Sequence, residues 1–149
     1  MIFRFFSGSV TGSCVYKNNS FITGSCVHNI YQITGRFDRT VPLIMLDPER
    51  VQQVAINVLS NAVKFSPEGG HVQVELRRSD QFADILVHDH GIGIKREFLP
   101  FVFERFRQAG MTTGSNTGLG LGMSIARDIV ERHGGTITAE SAGEGKGAT

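Results

Sequence analysis

The apolar positions of this chain change period several times, and each change marks an element. Val51, Val54, Ala55, Val58, Leu59 and Ala62 recur at i, i+3, i+4, i+7, i+8 and i+11, the buried stripe of an amphipathic helix. Asp47 suits the N-cap and Pro48 the first helical position, so one helix is expected over 47–65. Val41 to Leu46 is a short apolar run, expected as a buried strand entering that helix. After a turn at 66–70, His71 to Arg77 alternates with Val72, Val74 and Leu76 on one face. Ala83 to His88 follows with Ile85 and Val87 inward, which predicts an antiparallel hairpin. Continued by two residues, the alternation puts Asp89 on the side of Ile85 and Val87. That is a carboxylate aimed inward at a strand's end.

Glu97 to Phe106 is dense in Phe, Leu and Val, a density expected to pack a core, and Pro100 forbids a long helix there. Residues 107–117 are polar, contain Gly110 and Gly114, and show no period, as a loop would. Gly118-Leu119-Gly120-Leu121-Gly122 leads into a second helix with Gly122, Ile125, Ala126, Ile129 and Val130 inward, stopped by Gly134-Gly135. Thr136 to Ser141 alternates as a further strand, and GEGKGAT closes the sequence as a loop. Residues 1–40 sustain neither period. Short β-like pieces are expected at 21–27 and 30–37, within a segment that otherwise reads as irregular and of unknown role.

Composition narrows the picture further. The 149 residues suffice for one core, and a net charge of +1 gives no broad attraction to nucleic acid. No apolar run approaches the roughly 18 residues that cross a bilayer. The opening MIFRFFSGSV lacks the continuous apolar stretch of a signal peptide. Cys14 and Cys26 match no zinc or CxxC spacing and read as two unpaired thiols in a reducing compartment.

The first helix also carries chemistry. Asn57, Asn61 and Lys64 form a second stripe along the edge of the buried one, spanning roughly 60° at about 100° per residue. Two carboxamides and an ammonium bordering a core suggest the floor of a cleft for something anionic. Downstream motifs are weak one by one. GLGLG is neither a Walker A loop nor the GxGxxG of dinucleotide folds, and glycine clusters mark turns more often than ligands.

In order they are specific. NVLSNAVKFSPEGG, DHGIGI, FERFRQ, GLGLGMSIARDIVERHGG and ESAGEGKGAT together resemble the N, G1, F and G2 boxes of the ATP-binding catalytic (HATPase) domain of sensor histidine kinases, in the gyrase/chaperone/histidine-kinase/MutL superfamily. The resemblance covers 41–149. It implies a two-layer α/β sandwich of the Bergerat type, with a mixed, mostly antiparallel sheet, helices on one face and ATP between helices and lid. It further implies ATP and Mg²⁺ as ligands, with Asn61 on the metal, Asn57 beside the phosphates and metal-bound water, and Lys64 as a point charge on a phosphate. Phe65 stands where the family has an aromatic against the nucleotide, and Asp89 where a carboxylate accepts from the adenine amino group. By the same resemblance Gly91 and Gly93 let the backbone approach the base, with Ile94 beside them. Residues 107–117 become the lid, Phe103 and Phe106 steady it, and Gly118, Gly120 and Gly122 hinge it and offer N–H groups to phosphates, with Leu119 and Leu121 among the nucleotide-binding residues between them. Gly145, Gly147 and Thr149 close the adenine side.

Position 57 bears on the reaction. Gyrase-like and chaperone-like ATPases usually have Glu one turn before the metal-binding Asn, as a base that activates water. Asn57 is a poor base, so phosphoryl transfer to a protein histidine is expected over hydrolysis. The resemblance implies a phosphoacceptor-histidine dimerisation domain and, through it, a response regulator as partners, in the cytoplasm or the cytoplasmic part of a membrane-anchored sensor. None of His28, His71, His88, His90 and His133 lies in the family's acceptor pattern, and the family's last strand, Phe-x-hydrophobic ending in Leu-Pro, would follow Thr149. A sheet short of one edge strand is therefore expected, with a catalytically silent nucleotide-binding module as the alternative function.

Overall fold

The computed structural model describes residues 1–6, 31–41, 44–108 and 119–149. Its elements run β1 (Ile2–Phe6), β2 (Gln32–Phe37), α1 (Pro48–Lys64), β3 (His71–Ser79), β4 (Phe82–Asp89), a 3-10 turn (Leu99–Phe101), α2 (Gly122–Arg132) and β5 (Thr136–Thr138). The strands form one sheet in the order β2-β3-β4-β1-β5. Only β2 and β3 are parallel; the other neighbours are antiparallel. This is the mixed, mostly antiparallel sheet that was expected.

Helix α1 starts as its sequence dictates. Asp47 Oδ1 accepts from the backbone N–H groups of Glu49 and Arg50 at 3.0 and 3.2 Å, satisfying two donors that the first turn leaves over. Its buried stripe is Val54, Val58 and Ala62, packed on Val72 and Val87 of the sheet and on Ala126, Ile129 and Val130 of α2. His133 clasps the two helices end to end. Its Nδ1 donates to the Ile129 carbonyl at 2.8 Å and its Nε2 accepts from the Asp47 N–H at 3.2 Å, which fixes the neutral tautomer.

Several expectations are corrected. Residues 44–46 form no strand: Ile44 and Leu46 pack on the core from an irregular segment, because the outer lane beside β3 belongs to β2. Residues 2–6, read as irregular, form β1 between β4 and β5, which makes five strands among the described residues. The β-like piece at 30–37 becomes β2, and the one at 21–27 lies outside the described residues. The β3–β4 hairpin forms as expected, and β4 is in addition buried on both faces, since Leu86 and Asp84 are as inaccessible as Ala83 and Val87. In α2, Ile125 is exposed and Ser124 is buried, its hydroxyl turned onto the Leu121 carbonyl at 2.9 Å. Phe106 is 72% exposed and packs no core.

The cap makes a clean test. Asp47→Ala should lower stability by about 1 kcal/mol, a fall in Tm of about 2–4 °C. Ile56→Ala, on the exposed face of α1, should stay within about 0.5 kcal/mol. Equal thermal transitions for Asp47→Ala and the parent would remove the cap from the account.

Candidate functional site

The end of α1 and the end of β4 are tied to each other by main chain. Phe65 caps α1, and its carbonyl accepts from the Ile92 N–H at 2.9 Å. Gly91 sits between them. A Cβ there would run into the Phe65 carbonyl and lie 2.8 Å from Asp89 Oδ1, so this approach excludes any larger residue. The Asp89 carboxylate is itself fixed, accepting from the Gly91 N–H at 2.9 Å. Gly93, at φ +71°, turns the chain back where a Cβ would strike the Gly143 carbonyl. The work that the structure gives these two glycines is therefore close packing of backbone on backbone.

A cleft of about 580 Å³ opens between this knot, α1, the sheet and the start of α2. Asn61, Lys64, Phe65, Asp89, Gly93, Ile94, Leu119, Gly120, Leu121, Gly122 and Thr149 line it, as do Val58, Ala62, Val87, Phe98 and Val102. Much of the wall is thus apolar, with few polar groups converging on it, as in small-molecule sites. The Lys64 ammonium lies 5.3 Å from the centre of the Phe65 ring. Among the described residues no side chain caps α2, and the positive end of its dipole faces the cleft at Leu121 and Gly122. Gly118 lies outside the described residues, as does most of 107–117. The base of that segment is pinned, because the Phe106 N–H donates to the Gly120 carbonyl at 3.0 Å.

Four of the expected residues are not in the lining: Gly91, Gly145 and Gly147, which bond main chain to main chain around Ile92 and Gly91, and Asn57. The Asn57 side chain is set against Gly122: a Cβ at Gly122 would lie 3.7 Å from its Cγ. Among the described residues, Asn57 Nδ2 is the one buried side-chain polar atom without a hydrogen-bond partner. A donor left so costs about 1–3 kcal/mol.

Sequence reasoning missed two participants. Ser141 organises the far loop, its hydroxyl donating to the Gly147 carbonyl at 2.6 Å and accepting from the Ile94 N–H at 3.0 Å. A lone Ser in ESAGEG carries no periodic signal. Met1 also lines the cleft, and its amine donates to the Val87 carbonyl at 2.6 Å. Burial pushes the pKa of that amine down to about 5, against the pull of Asp89 and Glu140. His88, whose Nδ1 lies 2.9 Å from Thr149 Oγ1, is shifted down as well, chiefly by burial and then by the neighbouring amine.

Residues 46–149 match the model of the histidine kinase-, DNA gyrase B-, and HSP90-like ATPase family. The chain is 41% identical over 109 residues to the sensor histidine kinase WalK of Bacillus subtilis, a match that takes in 71% of this chain and 18% of that protein. The chain therefore spans less than a fifth of WalK's length. Among solved structures, the mycobacterial sensor histidine kinase MprB superposes with a TM-score of 0.67 at 31% identity, over 79% of this chain and 76% of that one. Full-length ShkA in complex with AMPPNP superposes with a TM-score of 0.62 at 28% identity, over 79% of this chain and 24% of that one. Among the described residues no helix is long and apolar enough to cross a membrane.

The buried amine sets a pH dependence. An unfolded chain keeps the proton on Met1 up to about pH 8, whereas the folded one releases it near 5, so acid favours unfolding across that window. His88 pulls in the same direction. Stability should rise from pH 5 to pH 8, by up to about 4 kcal/mol from the amine alone. Denaturant midpoints that stay flat or fall across the window would show that the amine is not buried.

Proposed function

Because the chain belongs to the histidine kinase-, DNA gyrase B-, and HSP90-like ATPase family, carrying over residues 46–149 the HATPase domain of a sensor histidine kinase, we propose that it binds ATP with Mg²⁺ and donates the γ-phosphoryl group to a protein histidine. The single observation that carries the reading is the cleft itself. One carboxylate, Asp89, sits in a largely apolar wall, and the carboxamide and ammonium edge of α1 borders the same space as the uncapped start of α2. A flat heteroaromatic base bearing an amino group fits the first feature, and a polyphosphate fits the second.

Asp89 accepts from the exocyclic amino group, held in place by the Gly91 N–H. The N–H groups at the start of α2 and the Lys64 ammonium receive phosphate oxygens. The orphaned Asn57 Nδ2 supports an acceptor beside Gly122, either a phosphate oxygen or a metal-bound water. Asn61 offers the metal a carboxamide oxygen, the hard donor that Mg²⁺ takes alongside phosphate oxygens and water. Held there, Mg²⁺ would supply charge neutralisation to the phosphates. Asn57 cannot serve as a general base for water, which favours transfer over hydrolysis. The acceptor histidine would come from a separate dimerisation helix and pass the phosphoryl group to a response regulator. That the similar ShkA structure is a complex with AMPPNP supports a nucleotide as the ligand.

Three measurements test the reading. Asp89→Asn should weaken ATP binding by about tenfold or more, the worth of one hydrogen bond to a charged group, with the fold intact; unchanged affinity by calorimetry removes the adenine contact. Asn61→Ala should abolish the Mg²⁺ dependence of binding, and its persistence would take the metal from Asn61. Mixed with a sensor kinase's dimerisation domain, the chain should form acid-labile phosphohistidine. Nucleotide binding without that product would mark a silent module, and fast hydrolysis with no acceptor present would mark an ATPase.

A further inference from the structure

The two ends of the sequence share one lane of the sheet. Residues 2–6 lie antiparallel to β4, with Ile2 opposite Leu86 and Phe6 opposite Phe82, and antiparallel to β5, with Ile2 opposite Thr138. Further along the same lane, Ala148 bridges Asp89, just at the end of β4, and Thr149 exchanges both main-chain hydrogen bonds with Glu140, just past β5. The register is continuous. Met1 pairs with Val87 through two bonds, Met1 N to Val87 O and Val87 N to Met1 O, at 2.6 and 2.9 Å. Stepping along β4, Asp89 faces Ala148, His88 faces Thr149 by side-chain contact, and Val87 faces Met1.

The alternation of an antiparallel ladder is also unbroken. Ala148 bonds toward β4, Thr149 toward β5, and Met1 toward β4 again. Thr149 and Met1 therefore stand as successive residues of one composite strand. Between them they form the back wall of the cleft, since Met1, Ala148 and Thr149 all line it.

We propose that the lane between β4 and β5 is a strand-binding site for an extended peptide paired on both sides, that residues 1–6 are its occupant, and that its occupancy sets the affinity of the cleft. Main chain supplies the recognition, as in strand addition to a sheet, and the register at Thr149 fixes direction and phase. The same six residues joined directly after Thr149 would enter the lane in the same register with no linker. The coupling to affinity rests on the nucleotide reading above; the strand site does not.

Three proteins test this: the full chain, a chain lacking residues 1–6, and a chain in which MIFRFF is moved from the N-terminus to follow Thr149. Thermal unfolding and hydrogen exchange at the Val87 amide report the lane, and ATP calorimetry reports the coupling. Deletion should expose the Val87 amide to fast exchange, lower Tm and weaken ATP binding at least tenfold, and relocation should restore all three. If the deleted chain fails to fold, a relocated chain that folds upholds the proposal, and one that does not fold overturns it. Slow Val87 exchange and an unchanged Tm after deletion would also overturn it. Restored exchange protection with no ATP binding in any of the three would instead overturn the nucleotide reading and leave the strand site standing.

Discussion

One main-chain hydrogen bond, from the Ile92 N–H to the Phe65 carbonyl, sets where the helix side and the strand side of the cleft meet. It locks the last turn of α1 to the chain leaving β4, and it forms only because Gly91 presents no Cβ between the two. With it in place, Asn61 and Lys64 on the helix and Asp89 on the strand border the same space. The glycines of this loop can be read as room for a ligand. Their measurable work is to let backbone meet backbone, which positions the ligand groups at second hand.

How much of this was legible in the sequence follows from how local each signal is. Helix α1, its Asp47 cap and the β3–β4 hairpin are written in period and capping chemistry, and they appear where the pattern places them. Asp89 was legible because alternation runs on past a strand's end. The misses are non-local. MIFRFF alternates too weakly to declare a strand, and its partners lie at least 76 positions away along the chain. Val41 to Leu46 has a strand's composition, but the lane beside β3 was already taken by β2. Phe106 looks like core by type, yet its φ of +62° turns it outward while its N–H goes to Gly120. Ser141 carries no signal until the loops it joins are seen together.

Asn57 shows how a defect in isolation becomes sense in context. A helix residue with a buried, unpaired donor is a cost that a purely structural position would have shed for Ala or Leu. Its place is against Gly122, the first residue of α2, so under the proposed function the donor would meet its acceptor already desolvated.

The bond from the Phe106 N–H to the Gly120 carbonyl also has an evolutionary side. It fixes the anchor points of the segment between them independently of what that segment contains. Closing a chain between fixed points costs only about 0.6 kcal/mol more for each doubling of its length. By that scaling, a change of length between those anchors would cost folding little, and the described walls of the cleft would keep their places.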